Sequence, residues 1–268
     1  MAAVYHRVDY DTHFNPEKYI QVVMSLIEYN RRFHVLLQKS LDTGKFCGDR
    51  MIDIGSGPNI HQLIPLCMRY KEIVCAEYTE SCRRVLQNWK EKKRGSLDWT
   101  PCFKYVCGLE GNNGMLFSDE TSEERENNLR KAIKEIIPCD VTKANPLEPR
   151  SDYPFDAMFT SLCLECASPD SRSYRQAVVN MASLLKPGGR LILWSFLNGT
   201  SYTIGETEFP ILKVSEGFVK SALKEAGFID IETTQVFYRE DSDTTALNIG
   251  GFLYLTATKK ARTQSVRK

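Results

Sequence analysis

The chain has 268 residues, of which 42% are hydrophobic, and a formal net charge of +1 at pH 7. This length and composition suffice for one domain with a sizeable core, while the balanced charge gives no basic surface for nucleic acid or an anionic membrane. No apolar run reaches the roughly 18 residues of a membrane-spanning helix, and the first residues lack the apolar core of a signal peptide. We therefore expect a cytoplasmic protein without nucleic-acid or membrane partners. We also expect a monomer.

The first predicted element is an amphipathic helix over residues 19–41, because apolar residues recur there at intervals of three and four. A buried strand follows at 50–55, a second strand at 72–77 and a helix near 80–92. Residues 108–128 are rich in Glu, Asn, Ser and Gly, and we expect them to form a solvated excursion whose charges only keep it in water.

The first strand runs into a loop that contains Gly55 and Gly57 and follows Asp53. Glycine lacks a Cβ atom, so such a loop turns tightly and brings its amides close to a ligand. A dinucleotide fingerprint needs a third glycine, where this chain has Ile60, and a phosphate-binding loop needs Gly-Lys-Ser/Thr. The remaining pattern, an acid and then G-x-G after a strand, is the one that S-adenosyl-L-methionine (AdoMet) enzymes use. A turn that binds no ligand is the alternative.

Two further acidic residues lie at the ends of predicted strands. Glu77 closes the second strand, 24 residues after Asp53, near the interval at which an acid binds a ribose. Its two carboxylate oxygens suit two adjacent hydroxyl groups. A third strand-like run ends at Asp140, which can accept from an adenine amino group while the amide of Val141 donates to a ring nitrogen. Solvated carboxylates at strand ends and an ordinary loop are the alternatives.

The second half continues the alternation of strands and helices. A helix stop is indicated by Lys186-Pro187-Gly188-Gly189, and Ser215 is typical of a helix N-cap. This order predicts an α/β, Rossmann-like class I methyltransferase fold: a seven-stranded, mostly parallel sheet with helices on both faces and an antiparallel last strand. A dehydrogenase would need a substrate domain, for which this length leaves little room. The predicted strands are 155–164, 190–197, 229–238 and 251–258, and the predicted helices are 174–185 and 214–226.

Nine cysteines, an odd number with several inside predicted strands, indicate reduced thiols rather than a disulfide framework. Cys163 and Cys166 form one C-x-x-C, which is a redox or zinc motif when it opens a helix or has a second pair. The sequence contains no second pair, and none of its four histidines has ligand spacing to this one. We therefore expect both thiols to lie in the core or in a pocket wall, with no metal.

Several segments together resemble a known family, the small-amine N-methyltransferases that act on nicotinamide, phenylethanolamine and indolethylamine. The resemblance covers about residues 11–260 and implies one domain over 1–268, with a helical lid at 1–45, the Rossmann-like core at 46–260 and a basic, disordered tail at 261–268. The segments that carry it are His13-Phe14-Asn15-Pro16 with Tyr19, residues 52–58, Asp98-Trp99, Cys139-Asp140-Val141-Thr142, Leu162-Cys163-Leu164-Glu165, Ser168-Pro169-Asp170 and residues 183–189.

The resemblance also implies that the cofactor is AdoMet and which residues bind it. They are Tyr19 in the lid, Gly55, Ser56 and Gly57 in the loop, Glu77 and Tyr78 at the ribose, Asp140 and Val141 at the adenine, and Ser161 near the methionine end.

The chain differs from the family pattern around the lid and the glycine loop. Val23 and Met24 stand where the family has paired tyrosines, His61 replaces another tyrosine, and Cys82 replaces an asparagine. An AdoMet-binding protein with weak or no catalysis is therefore an alternative.

On the acceptor side, the resemblance places Glu165 near the substrate amine. A carboxylate there holds a cationic amine and eases the loss of its proton through water, which is worth about 10²-fold in rate. Its alternative role is that of a buried carboxylate that accepts backbone hydrogen bonds. Tyr202 matches an aromatic wall residue, while Ser195 and Asn248 stand where the family has acids that contact the substrate. The predicted reaction is methyl transfer from AdoMet to the nitrogen of a small amine or pyridine-type acceptor, with thioether methylation as an alternative.

Overall fold

The computed structural model describes residues 10–112, 121–151, 154–237 and 247–261. Within these ranges the strands are β1 (Gly48–Ile54), β2 (Tyr70–Glu77), β3 (Ile133–Pro138), β4 (Phe155–Ser161), β5 (Leu185–Leu197), β6 (Ser201–Ile204), β7 (Thr207–Pro210), β8 (Phe228–Phe237), β9 (Leu247–Asn248) and β10 (Gly251–Lys259). The α-helices are α1 (Tyr10–His13), α2 (Pro16–Ser25), α3 (Ile27–Asp42), α4 (Glu80–Lys90), α5 (Thr100–Asn112), α6 (Ser122–Ala132), α7 (Leu164–Ala167), α8 (Ser171–Ala182) and α9 (Glu216–Glu225).

A seven-stranded sheet in the order β3-β2-β1-β4-β5-β10-β8 forms the centre of the protein. The first five strands of this order are parallel, and β10 runs antiparallel between β5 and β8. The sheet therefore confirms the predicted seven strands and the antiparallel last strand. The chain moves outward from β1 to β3 and then returns to β4 on the other side of β1. Such a reversal opens a crevice at the carboxyl ends of the strands, where ligands of α/β proteins bind.

The central strands are buried on both faces, which explains their nearly continuous apolar sequence. Along β1, Met51 packs into one hydrophobic cluster, and Ile52 and Ile54 pack into the cluster on the opposite face. Each is at most 1% exposed, and burying such a side chain contributes about 1.5–3 kcal/mol. Packing on both faces fixes the register of β1 and hence the position of the loop that follows it.

The N-terminal region forms two helices where the sequence predicts one over residues 19–41. The helical path is interrupted at Leu26, whose backbone angles are φ −86° and ψ 36°. The amide of Asn30 donates to the carbonyl oxygen of Val23 at 2.7 Å, so a side chain satisfies a carbonyl near the break. Apolar residues keep their spacing on both sides of Leu26, and periodicity therefore gives no sign of the interruption.

The predicted solvated excursion at 108–128 is wrong for the residues that the structure describes. They lie in α5 and α6, and residues 113–120 are outside the described ranges. Thr121 and Glu124 form a capping box that starts α6. Arg125 on α6 is 1% exposed and pairs with Glu110 on α5 at 2.7 Å, so charges of this region bind two helices together.

A second, three-stranded sheet in the order β7-β6-β9 was not predicted. It lies beside the carboxyl end of β5, and Tyr202 and Ser201 on β6 pair with Leu247 and Asn248 on β9. The start of the predicted lid, residues 1–9, and the predicted tail at 262–268 lie outside the described residues. Within the described ranges, no helix has the length and apolar character needed to cross a bilayer.

Candidate active site

A cavity of about 1300 Å³, including its open mouth, lies at the carboxyl ends of the central strands. Ligand sites of α/β proteins lie at this edge of the sheet, so the cavity is the candidate site for a cofactor and its acceptor. Residues of α1, α2 and α3 form part of its wall. The lining includes every predicted cofactor residue and one predicted substrate residue: Tyr19, Gly55, Ser56, Gly57, Glu77, Tyr78, Asp140, Val141, Ser161 and Tyr202.

The two loop glycines share a left-handed backbone but have different surroundings. Gly55 has φ +70°, and a Cβ atom there would lie 2.4 Å from Sγ of Cys163. Gly57 has φ +58°, and a Cβ atom there would meet only Tyr19, at 3.9 Å. Gly55 is therefore required by packing within the protein, whereas Gly57 leaves open space on the cavity side, where a ligand can approach the backbone.

Glu77 connects the glycine loop to the start of α4. Its carboxylate accepts from the amides of Gly57 and Thr79, each at 2.8 Å. Burial raises the pKa of Glu77, and these amide hydrogen bonds oppose that rise. Because each carboxylate oxygen has two acceptor positions, the amides fix the group while leaving capacity for the two hydroxyls of a ribose.

A polar cluster with unsatisfied acceptors lies beyond the glycine loop. Asp53 is fully buried, and burial raises its pKa to about 7. The amide of Gln62 donates to Oδ2 of Asp53 at 3.3 Å. Among the described residues, Oδ1 of Asp53, Oδ1 of Asn59 and Oε1 of Gln62 are buried without a hydrogen-bond partner. Buried acceptors without donors are costly, and Asn59 and Gln62 line the cavity, where the ammonium group of AdoMet would supply the donors that they lack. The site thus fits this cofactor.

Asp140 and Val141 line the cavity just after β3, the edge strand that is separated from β1 by β2. Oδ1 of Asp140 accepts from the amide and hydroxyl of Thr142 at 3.0 and 2.6 Å, which fixes its carboxylate. The amide of Asn180 donates to the carbonyl oxygen of Val141 at 3.0 Å. This part of the cavity therefore presents a rigid carboxylate and backbone where the resemblance implies adenine.

Aromatic side chains dominate the remaining wall. The hydroxyls of Tyr10 and Tyr202 are hydrogen-bonded to each other, which joins α1 to the small sheet. Tyr10 also stacks on Phe14, with ring centroids 5.4 Å apart. Only Tyr19 and Tyr202 of this wall were predicted as site residues from the sequence, because its members come from distant segments. The wall consists of Tyr10, Phe14, Tyr19, Phe33, Trp194, Phe196, Tyr202 and Phe252.

Glu165 lies behind the wall rather than in it. It is 1% exposed and is not among the described lining residues. Its Oε1 accepts from the amide of Phe196 at 2.7 Å, and burial raises its pKa to about 7. This placement supports the alternative role, a buried carboxylate that holds the backbone, and contact with the substrate amine stays a prediction.

Ser195 and Asn248 also lie outside the described cavity lining. Ser195 is 1% exposed, and its hydroxyl donates to the carbonyl oxygen of Phe196 at 3.1 Å. Asn248 lies on β9, where its amide donates to the hydroxyl of Thr200 at 2.9 Å. In this arrangement neither side chain reaches the acceptor space, and a direct role in substrate binding stays a prediction for both.

Three of the four positions at which the chain differs from the family pattern contribute to the cavity wall. Val23, His61 and Cys82 line it, while Met24 is partly buried against the neighbouring core cluster.

All nine cysteines are free thiols, as predicted. Cys163 and Cys166 belong to the cavity lining, and burial raises the pKa of both. No group of three or more potential ligands that could hold a metal ion occurs in the described part of the chain.

The Rossmann-like sheet, the acid followed by G-x-G, and the acids at the next two strand ends define the class of this protein: it is an AdoMet-dependent methyltransferase of class I fold. The sequence pattern of the NNMT/PNMT/TEMT family matches residues 2–260. The chain belongs to this family.

Similar proteins agree with this assignment. The chain is 38% identical to a nicotinamide N-methyltransferase of Sus scrofa over 250 residues, covering 91% of this chain and 92% of the relative. It is 36% identical to an indolethylamine N-methyltransferase of Oryctolagus cuniculus over 262 residues, covering 94% and 95%. Among solved structures, an S-adenosylmethionine-dependent methyltransferase from Clostridium acetobutylicum has the same fold, with a TM-score of 0.56 and 11% identity over 91% of this chain and 99% of the other.

Proposed function

We propose that this protein transfers the methyl group of AdoMet to a ring nitrogen of a small, flat, pyridine-type acceptor. The observation that supports the proposal is the order of the cavity residues along the sheet. Glu77 ends β2 and Asp140 follows β3 on one side of β1, and the aromatic residues Trp194, Phe196 and Phe252 lie on β5 and β10 on the other side. Tyr19 and Ser161 lie in the same cavity, and the family resemblance implies that Tyr19 belongs to the lid and that Ser161 is near the methionine end of the cofactor.

AdoMet, when bound, supplies a methyl group that is already activated on a sulfonium. The residues of the chain have to align the acceptor and exclude water, and alignment alone accounts for roughly 7–11 kcal/mol of the barrier. Trp194, Phe196 and Tyr202 provide flat surfaces that orient an aromatic acceptor, and Tyr10 closes the wall by its bond to Tyr202. The methylated product is a cation, which the faces of these rings stabilise by about 0.5–2 kcal/mol.

The position of Glu165 favours an acceptor that has no proton to lose. Only an unprotonated nitrogen attacks the methyl group, and an alkylamine is protonated at neutral pH. Glu165 lies behind Phe196, and the acceptor end of the described lining contains no other carboxylate. A pyridine nitrogen is already unprotonated at pH 7 and needs no base. A thioether is the second candidate, because its sulfur likewise carries no proton.

The proposal is tested in two steps. Calorimetry with AdoMet measures cofactor binding, and transfer of a labelled methyl group is then measured with nicotinamide, benzylamine and a dialkyl thioether. We expect transfer to nicotinamide at least about 10-fold faster than to benzylamine at pH 7.5, since the amine must first lose a proton. A preference for benzylamine contradicts the proposal, transfer to the thioether alone favours the second candidate, and binding without transfer to any acceptor identifies a weak or inactive enzyme.

A further inference from the structure

Two histidines form a buried pair at the edge of the cavity. His61 opens a short 3-10 helix, His61–Leu63, that follows the glycine loop, and its ring lines the cavity. Its Nδ1 lies 3.3 Å from Nε2 of His34 on α3. His34 is buried and only 4% exposed. Since Nδ1 of His61 is bonded to His34, Nε2 is the nitrogen left to meet a ligand.

Both rings are neutral at physiological pH. Burial lowers the pKa of His61 to about 4, and burial together with the neighbouring His61 lowers the pKa of His34. The titratable group that faces His34 from α5 is Tyr105, with ring centroids 6.1 Å apart, and the Arg31 guanidinium lies 5.6 Å from the Tyr105 ring. The ring of Trp99, which does not titrate, faces His61. The pair therefore acts through hydrogen bonds and not through a positive charge.

The hydrogen bond between the rings links their tautomers. A neutral imidazole has one donor and one acceptor nitrogen. If Nε2 of His34 donates to Nδ1 of His61, then Nε2 of His61 is a donor toward the cavity. Nδ1 of His34, which is buried without a partner in the described residues, is then a bare lone pair. The opposite tautomers would bury an unpaired N–H, which native proteins avoid more strictly than an unpaired acceptor.

The strand order indicates which part of a ligand this donor meets. Asp140 follows β3, Glu77 ends β2 and the glycine loop follows β1, and these three strands are neighbours in that order. A nucleoside bound to Asp140 and Glu77 therefore directs its amino-acid end toward β1. His61 lies just beyond the loop after β1. The described cavity lining contains neither Lys nor Arg, so a carboxylate at this end has to be bound by neutral donors.

We propose that Nε2–H of His61 donates to the carboxylate of the methionine part of AdoMet, with His34 as the positioning residue that fixes its tautomer and orientation. This inference rests on the proposed function, because it requires AdoMet in the cavity. In this assignment a histidine pair binds the carboxylate. The hydrogen bond from His61 to the carboxylate is strengthened, because each polar group in a chain of hydrogen bonds polarises the next.

The test compares AdoMet with decarboxylated AdoMet, which lacks only this carboxylate, by calorimetry on the wild type and on His61→Phe. We expect His61→Phe to weaken AdoMet binding about 10-fold or more, as for a lost hydrogen bond to a charged group, and to change binding of decarboxylated AdoMet by less than about 2-fold. Equal losses for both ligands, no loss, or an effect confined to the KM of the acceptor would overturn the inference. A wild type that binds neither ligand contradicts the proposed function instead.

Two variants of His34 test its positioning role. His34→Gln keeps a side-chain donor for Nδ1 of His61, and we expect AdoMet affinity within about 3-fold of the wild type. His34→Leu removes the donor, and we expect most of the AdoMet-specific loss of His61→Phe. A loss that is the same for AdoMet and decarboxylated AdoMet in either His34 variant contradicts a positioning role. If His34→Leu fails to fold, the Gln variant still decides, because a Gln variant that has lost the AdoMet-specific affinity contradicts the assignment.

Discussion

Gly55 and Gly57 are two residues apart and both have a left-handed backbone conformation, but we expect their substitution to have different effects. Gly57→Ala places a methyl group in open space beside the cavity, with only Tyr19 nearby, at 3.9 Å. We expect it to lower the free energy of unfolding by about 1–2 kcal/mol, the cost of a left-handed non-glycine residue. AdoMet binding, measured by calorimetry, should weaken at least about 10-fold, because the methyl group occupies the path of the ligand backbone contact.

Gly55→Ala and Gly44→Ala are the matched controls for this prediction. Gly55→Ala forces a Cβ atom to 2.4 Å from Sγ of Cys163, so overpacking adds about 1–3 kcal/mol to the backbone cost. Gly44 has φ +70° and nothing within 4 Å of its would-be Cβ atom, so Gly44→Ala reports the backbone cost alone. Chemical denaturation ranks the three variants. If Gly57→Ala keeps wild-type AdoMet affinity, the loop does not contact the cofactor at this residue.

The substitution Glu165→Gln distinguishes a structural role of this residue from a catalytic one. Glutamine keeps an acceptor for the amide of Phe196 but has no charge. If the carboxylate acts only through that hydrogen bond, Glu165→Gln should keep methyl-transfer turnover within about 3-fold. Glu165→Ala should lower turnover while leaving AdoMet affinity within a few fold, because the wall around Phe196 loses its support. A drop of about 10²-fold in the Gln variant would instead assign Glu165 to the acceptor amine.

The raised pKa of Glu165 also predicts a pH dependence of stability. Burial raises it from 4.5 to about 7, so between these values the folded state keeps a proton that the unfolded state has lost. The unfolded state then binds fewer protons, and the stability of the folded protein falls as pH rises through this window. Glu165→Gln removes this term. Denaturant titrations at pH 5 and 8 should therefore show the wild type losing stability relative to Glu165→Gln as pH rises. An unchanged difference would mean that the carboxyl group titrates normally.

The predicted cofactor residues other than Tyr19 come together in one cavity because each of them stands at or just beyond the end of a strand. The apolar runs before Asp53, Glu77 and Asp140 fix the strands, and parallel strands bring their carboxyl ends to one edge of a sheet. The acceptor end follows no such rule. Whether Glu165 faces the cavity or lies behind Phe196 depends on how a four-residue helix packs against β5, and neither composition nor spacing determines this.

At the scale of elements, the helix pair α5 and α6 is joined by a buried ion pair. Arg125 donates to both carboxylate oxygens of Glu110, at 3.1 and 2.7 Å. Arg125→Met leaves a buried carboxylate without its partner, and we expect it to lower the free energy of unfolding by about 3–5 kcal/mol. The double variant Glu110→Gln/Arg125→Met should recover most of that loss, because no unpaired charge remains buried.

Chemical denaturation of the wild type, Glu110→Gln, Arg125→Met and the double variant forms a complete double-mutant cycle. Lys71→Met is the control, since Lys71 and Asp49 form an exposed pair at 2.7 Å and surface pairs contribute little. Equal, small losses for Arg125→Met and Lys71→Met would show that the pair is not desolvated. The sequence predicts a solvated segment here because residues 108–128 are rich in Glu, Asn, Ser and Gly. Only the position of α6 beside α5 makes one arginine a core residue, and composition carries no information on such a partner.

At the scale of the whole molecule, α1 and α2, which belong to the predicted lid, border the cavity. Tyr10, Phe14, Tyr19, Val23 and Leu26, all from α1, α2 and the turns that follow them, line the cavity. Their inner face therefore borders a ligand space as well as one core cluster, while β4 and β5 are packed between two core clusters. Segments with few packed contacts open with a small free energy. The lid should thus be the least stable part of the described fold when no ligand is bound.

Hydrogen exchange measured by mass spectrometry tests this difference. We expect amides of residues 16–26 to exchange faster than those of β4 and β5 in the ligand-free protein. AdoMet fills the space beneath the lid, and binding stabilises every conformation that retains the ligand by RT ln(1 + [L]/Kd), about 2.7 kcal/mol at a hundredfold excess over Kd. Saturating AdoMet should slow exchange in residues 16–26 about 100-fold if opening of the lid releases the ligand. If AdoMet protects the strand ends around Gly57 and Glu77 but leaves residues 16–26 unchanged, these helices do not close over the cofactor, and water has to be excluded by the aromatic wall alone.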